Sequence, residues 1–308
     1  VATLRLKNPV STPKFRLRKG KLVTTHKILI IGASGNIGHT LVRLLAEKGQ
    51  LVKAATRHPN NYTAQAGVEA VAFDYVQSQS YGPALAGVDS VFAIPKNADA
   101  EAQNTLNPFI DAAKAAGVKH FVLGTAMGVD QAPPDLGYRQ VELHLISSGL
   151  DYTILRPNWF MQNFNPGFIL PMIQQGGAIY LPAGEALVSF IDTHDIAAVA
   201  ATVLTQPGHA GKEYTLTGGA ALNYTDAAAV ISKAAGREIR YAPISDQTMR
   251  ESLTAAGWWP NQVDLMIGLF YGVRQGWSAP VIPTLAELLG RPAITFEQFA
   301  AANAEAWR

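Results

Sequence analysis

The 308-residue sequence contains no cysteine, which excludes a disulfide framework, thiolate metal sites, iron–sulfur clusters and a cysteine nucleophile. Long hydrophobic runs are also missing. No stretch of about 20 apolar residues is available to span a bilayer, so a membrane is not an expected partner. The seven histidines are scattered, with neither H-E-x-x-H nor paired spacing, and no metal is expected. Charge is sparse at 16% and unevenly placed: residues 1–26 hold seven Lys or Arg and no acid, so the net +2 divides into a basic end and a body of −5. A mildly acidic body is not expected to bind nucleic acid. Residues 1–26 lack the long apolar core of a secretory signal, and Pro9 and Pro13 interrupt them. They read as a disordered basic extension on a cytoplasmic protein.

What is present is a body 48% hydrophobic, enough for a large core. Its most informative segment is Gly32-Ala33-Ser34-Gly35-Asn36-Ile37-Gly38, which follows the apolar run Ile28–Ile31 and opens an amphipathic stretch ending near Lys48. A strand that delivers the chain to a glycine turn and then to a helix lets backbone N–H groups approach a diphosphate at the helix's positive end. The G-x-x-G-x-x-G spacing is weak evidence alone; the strand-turn-helix context makes it a dinucleotide site.

From Lys27 to about Arg156, short β-branched runs alternate with helical stretches, which predicts an α/β doubly wound parallel sheet of the Rossmann kind. Six strands are expected, at Lys27–Ile31, Leu51–Thr56, Val68–Phe73, Ser90–Ile94, His120–Leu123 and Tyr152–Leu155, with helices near 37–48, 100–116 and 139–148. After Pro157 the alternation dissolves into Gly and Pro punctuation. A helix at Thr193–Leu204, a strand at Glu213–Leu216 and a helix at 225–235 are expected there. The domain reading is therefore an NAD(P)-binding domain over 27–157 and a smaller substrate sub-domain over 158–308, some segments of which return to the first domain's core.

The second strand ends Ala55-Thr56-Arg57-His58, where NAD-specific folds carry an acid for the ribose hydroxyls. Arg57 instead suits a 2′-phosphate, so NADPH is the expected cofactor, ahead of NADH. Cofactor contacts are expected from Gly32, Ser34, Gly35, Asn36, Ile37 and Gly38, and from Ile94 and Pro95 at the carboxyl edge of the sheet. Asp74 is placed to accept from an adenine amino group and Tyr75 to cover the ring; a turn-forming Asp is the plainer alternative.

These segments resemble the NmrA-like family of atypical short-chain dehydrogenase/reductases. The likeness covers residues 27–308 and is carried by Gly32–Gly38 with Thr56-Arg57, by Arg139-Gln140-Val141-Glu142, and most specifically by Ser148–Asn163 (SGLDYTILRPNWFMQN). Asp192–Ala197 and Tyr214–Gly218 add to it. The resemblance implies NAD(P) binding and reduction of quinones, azo and triphenylmethane dyes, or a redox-sensing role.

The wider dehydrogenase family pairs a Ser/Thr with Tyr-x-x-x-Lys, the lysine lowering the tyrosine pKa. Thr125 and Tyr138 stand at matching positions as catalytic candidates, but position 142 is Glu. A carboxylate there is expected to raise the pKa of Tyr138, which suits substrates that carry their own electron sink. Asn158, Trp159, Phe160 and Asn163 are the substrate-binding candidates, and Trp159, Phe160 and Phe164, with Trp258, Trp259, Phe270, Tyr271 and Trp277, read as the lining of a flat pocket over the nicotinamide, with burial in the core as the plainer alternative. The reading is an NADPH-dependent reductase of a small, flat, electrophilic molecule, monomeric or homodimeric. Its rival is a non-catalytic NADP(H) sensor acting on a protein partner.

Overall fold

The computed structural model describes residues 26–308, apart from Ala64 and Asn97, together with two short strands, Arg16–Arg18 and Lys21–Val23. Those two pair antiparallel with each other, Leu17 opposite Leu22, a pairing the expectation of a disordered extension did not include. The rest of residues 1–25 lies outside the described residues.

Seven parallel strands form the central sheet: β1 (Lys27–Ile31), β2 (Leu51–Thr56), β3 (Val68–Ala72), β4 (Ser90–Ala93), β5 (His120–Gly124), β6 (Asp151–Pro157) and β7 (Lys212–Leu216). Their order is β3-β2-β1-β4-β5-β6-β7. It reverses between β1 and β4, and that switch point opens a crevice at the carboxyl ends of the strands. The period of two in β1 divides its side chains. Ile28 and Ile30 face α1 (Asn36–Glu47) and α6 (Thr193–Thr205), whereas Leu29 and Ile31 face α2 (Tyr81–Leu85), α3 (Gln103–Ala115) and α4 (Gly137–Ser147). Each contributes roughly 1.5–3 kcal/mol by leaving water.

Six strands were expected, and the seventh is the Lys212–Leu216 segment, which the sequence placed among the sub-domain elements. It adds to the sheet edge beside β6, Glu213 opposite Ile154. Its neighbour in sequence, α6, lies against α1 and buries Ile196, Val199, Val203 and Leu204 in the same core as Leu216. The chain therefore crosses into the second region after β6 and returns to finish the sheet; a return of some later segments was expected, but not which ones.

The second region gathers around Phe164, where Phe190 and Phe296 stack edge-on at 5.3 and 5.0 Å. The helices α7 (Tyr224–Ala235), α8 (Asp246–Ala255), α9 (Pro260–Arg274) and α11 (Phe296–Asn303) surround this cluster, together with the shorter α5 (Leu170–Gly176). The last helix before α11, α10 (Thr284–Leu289), packs instead on α6 and β7. Trp307 closes the cluster by donating its indole N–H to the Phe164 carbonyl at 3.1 Å. Among the described residues no helix is long and apolar enough to cross a membrane.

Phe164 has no exposed surface, so Phe164→Ala is expected to lower unfolding free energy by about 3–5 kcal/mol in a urea titration. A loss under about 1 kcal/mol would show that the site collapses freely and that this cluster does not organise the second region.

Candidate functional site

At the end of β1 the chain turns through Gly32 at φ +76°, a left-handed conformation that favours glycine. Gly35 N–H closes the turn on the Gly32 carbonyl at 2.9 Å. A Cβ on Gly38 would stand 2.1 Å from that same carbonyl oxygen and 2.9 Å from Ala33 Cα, so the helix can seat here only without a side chain at this position. Gly35 is the N-cap of α1 and brings no capping side chain. The first-turn N–H groups, which have no acceptor within the helix, are left for a ligand, and the positive end of the helix dipole favours an anion. This cradle fits a dinucleotide diphosphate. Ser34, Gly35 and Asn36 are exposed around it, whereas Ile37 is buried and offers only its backbone.

Arg57 follows β2 and is exposed at the same edge of the sheet, beside His58, whose N–H bonds Thr56 Oγ1 at 3.3 Å. Its guanidinium suits a phosphate in two-point contact. Asp74 is in a turn of its own, accepting from Val76 N–H at 3.2 Å, and its carboxylate stands 3.8 Å from Lys96 Nζ. Tyr75 differs from expectation. Its ring is buried against Phe73 and Phe109, and its hydroxyl donates to the Ile94 carbonyl at 3.0 Å. Burial, above all, holds its pKa well above the usual tyrosine value. The ring is a core element that props the β4 end from beneath, with no open face for an adenine. Ile94 packs over Gly32, and Pro95 continues the same edge half-buried.

Thr125 follows β5, and its hydroxyl donates to Glu142 Oε1 at 2.7 Å. Glu142, on α4, is fully buried. Arg156 of β6 grips it twice, Nε to Oε1 and Nη2 to Oε2, both at 2.8 Å, and Arg139 adds a bond to Oε2 at 2.9 Å. Arg156 Nη2 also reaches Glu213 of β7 at 2.5 Å. Burial alone would pull the Arg156 pKa down, but its bonds to Glu142 and Glu213 outweigh that and hold it above the usual value. Four donors thus surround one carboxylate, as a buried charge requires.

Tyr138 lies at the start of α4, and its hydroxyl donates to the Lys96 carbonyl at 3.3 Å. Burial, and then the charge of Asp99, push its pKa up to about 12. The direction matches expectation, but the cause does not, because Glu142 is turned to Arg139, Arg156 and Thr125.

The substrate candidates separate. Asn158 is buried, and its amide N–H2 donates to Ser189 Oγ and to the Ser278 carbonyl, both at 2.8 Å, so that group ties the second region to the sheet. Trp159 packs on Phe270, ring centroids 5.0 Å apart. Phe160 bridges to Ile191, and Asn163 is half-buried. Phe164 and Phe270 are core residues rather than pocket walls, whereas Trp259, Tyr271 and Trp277 are exposed. A cleft of about 640 Å³ runs from Lys96 and Asp99 to Trp259. A second, of about 510 Å³, joins Ser34–Asn36 to Gln162 and His194. Gln162, Asp192, Thr193 and His194 appear in the sequence only as parts of the family-like segments, with no individual role expected of them.

Residues 24–275 match the model of the NmrA-like family. An NAD(P)H azoreductase from Xenophilus azovorans is 38% identical over 91% of this chain and 99% of its own length. The crystal structure of an NADPH-dependent quinone oxidoreductase from Escherichia coli, in complex with NADPH, superposes with a TM-score of 0.76 at 28% identity, covering 89% of this chain and 99% of that one. A Citrobacter triphenylmethane reductase complexed with NADP(H) shares the fold, with a TM-score of 0.75 at 24% identity over 90% and 99% of the two chains.

Removing one partner from the buried ion cluster leaves the others uncompensated. Glu142→Ala is expected to cost about 3–5 kcal/mol of stability, and the double variant Glu142→Leu with Arg156→Met to recover most of it. Denaturant titration of both variants checks this; equal losses would mean that packing, not charge, sets the cost.

Proposed function

The chain belongs to the NmrA-like family, and we propose that it is an NADPH-dependent oxidoreductase of small, flat, electrophilic organic molecules, with quinones and azo dyes foremost. The observation that carries this reading is the cradle at α1. Gly38 lets the helix end close on the loop, its first-turn N–H groups lie open, and a cation follows β2. The α1 N–H groups hold the diphosphate and Arg57 the 2′-phosphate. Ser34 and Asn36 edge the diphosphate, Asp74 borders the adenosine end, and Ile94 and Pro95 floor the crevice.

When bound, NADPH supplies a hydride to the electrophile. The side chains around it determine which electrophiles are suitable. Tyr138 keeps its proton, its pKa held near 12, and is a weaker acid than a free tyrosine. No lysine at position 142 helps it to release that proton. The Thr125 hydroxyl already donates its hydrogen bond to Glu142, so its oxygen faces a ligand as an acceptor. Such a site gives a poor proton to an alkoxide and serves a quinone, azo bond or iminium that delocalises the incoming charge, with water completing protonation. The cleft between Lys96 and Trp259 admits the substrate, and Trp159, Phe160 and Asn163 border it from the second region.

Steady-state assays following NADPH absorbance across quinones, azo dyes, enones and ketones test this reading. Quinones and azo dyes are expected to turn over and simple ketones not to. Arg57→Ala is expected to raise KM for NADPH by about 10–100-fold and to leave NADH nearly unchanged, as loss of a charge-assisted phosphate contact requires. Tight NADPH binding without turnover of any acceptor would favour a cofactor sensor. The pH profile of kcat should show no limb from a tyrosine below about pH 10, because Tyr138 stays protonated until its pKa near 12 is approached; Tyr138→Phe shares that flat profile.

A further inference from the structure

We propose that the cleft between Lys96 and Trp259 selects its acceptor by charge: a flat ring stacks on the Trp259 indole, and the Asp99 and Glu101 carboxylates favour a cationic aromatic over an anionic one of the same shape. The inference rests on the reductase reading above and deepens it by naming the substrate class and the residues that choose it.

The cleft of about 640 Å³ is bounded by Lys96, by residues 98–101 and by residues 259–262. A lone exposed indole on a convex surface carries no message, but this one borders a cavity and is 72% exposed. The start of α9 holds its backbone. Trp259 N–H donates to Gln262 Oε1 at 3.1 Å, and Pro260 fixes the first helical residue. The ring is thus carried on a firm mount with surface free for a flat partner.

The charges around it are mostly of one sign. Lys96, Asp99 and Glu101 are the ionisable residues that border the cleft, and Lys96 Nζ lies 3.8 Å from Asp74 Oδ1, whose charge offsets its own. Among the described residues neither Asp99 nor Glu101 has an ion-pair partner. Their hydrogen bonds are local: Asp99 Oδ1 accepts Glu101 N–H at 3.2 Å, and Glu101 Oε2 accepts Asn104 Nδ2 at 3.3 Å. The field of Asp99 reaches the reacting end of the cleft, because after burial it is the Asp99 charge that holds the proton on Tyr138, whose hydroxyl donates to the Lys96 carbonyl at 3.3 Å. No group of three His, Asp or Glu fit to hold a metal ion occurs among the described residues. An aromatic face beside unpaired carboxylates suits an organic cation instead, which gains from the π face and from both charges. With an azo acceptor, the hydride of NADPH adds to one nitrogen. The N=N π pair moves to the other nitrogen and takes a proton from water, giving the hydrazo compound and NADP+.

Two azobenzenes test this, one ending in trimethylammonium and one in sulfonate on the same alkyl chain, so that electron demand at the azo bond is equal. Turnover by the full chain is followed as loss of NADPH fluorescence. At low salt kcat/KM for the cationic dye should exceed that for the anionic dye at least about tenfold, and the ratio should narrow to about threefold at roughly 0.5 M salt. Asp99→Asn with Glu101→Gln keeps both acceptor oxygens and should bring the ratio within about twofold. Trp259→Ala should raise KM for both dyes about 5–10-fold with the ratio kept, and Trp259→Phe should restore most of it. Binding of the two dyes to the NADP+-loaded protein should show the same preference without turnover. Equal use of both dyes by the wild type, preference for the anionic dye, or a preference that survives in the double variant overturns the charge filter. An unchanged KM in Trp259→Ala overturns the stacking. If NADPH binds but neither dye nor a neutral quinone is reduced, the reductase reading fails, and the ratio of dye affinities then decides the filter.

Discussion

The buried carboxylate of Glu142 is the point on which the catalytic end of the molecule depends. Its four hydrogen bonds connect the residue after β5, two positions of α4 and the end of β6, and through Arg156 they reach Glu213 on the edge strand β7. A charge so placed is tolerable only if every partner is present, so these elements hold a fixed mutual geometry. The same carboxylate sets the site's proton chemistry. It accepts the hydrogen bond of the Thr125 hydroxyl, and it occupies the position from which a lysine would acidify Tyr138.

A site that binds hydride donor and acceptor well but offers a weak acid selects its substrates by their electronics. Reduction of a ketone requires a proton at the developing alkoxide, whereas reduction of a quinone or azo bond spreads the charge over the acceptor. Catalysis then rests on holding two flat partners face to face, a matter of position. The second region serves this by fixing its walls. The Asn158 amide ties it to the sheet, the Phe164 cluster gives it a core of its own, and Trp259 stays exposed where the cleft opens.

Charge is arranged to match. Around the glycine loop the molecule offers a helix end, backbone N–H groups and Arg57, and Asp192 of the neighbouring cavity is engaged by His194. At the Lys96–Trp259 cleft, Asp99 and Glu101 stand instead, and the Asp99 charge helps to hold the proton on Tyr138. One end of the crevice therefore carries open donors and a cation, and the other carries carboxylates.

Much of this was legible in the residues because its causes are local. The period of two in Ile28–Ile31, the glycines at 32, 35 and 38 and the cation at 57 act through neighbouring backbone, so the parallel sheet, the cradle and the NADPH preference follow from chain order. The helix expected at Thr193–Leu204 was legible for the same reason. Local order allowed that some later segments return to the sheet but could not show that β7 and α6 are the ones, because an edge strand such as Lys212–Leu216 has the half-polar pattern of any exposed strand. Nor could it show that Tyr75 turns inward, that the Asn158 amide is structural, or that Glu142 faces two arginines instead of Tyr138. Those outcomes depend on which side chains far apart in sequence meet in a low-dielectric interior. There an unpaired charge or amide costs more than local preference can repay, and only the tertiary structure supplies the partners.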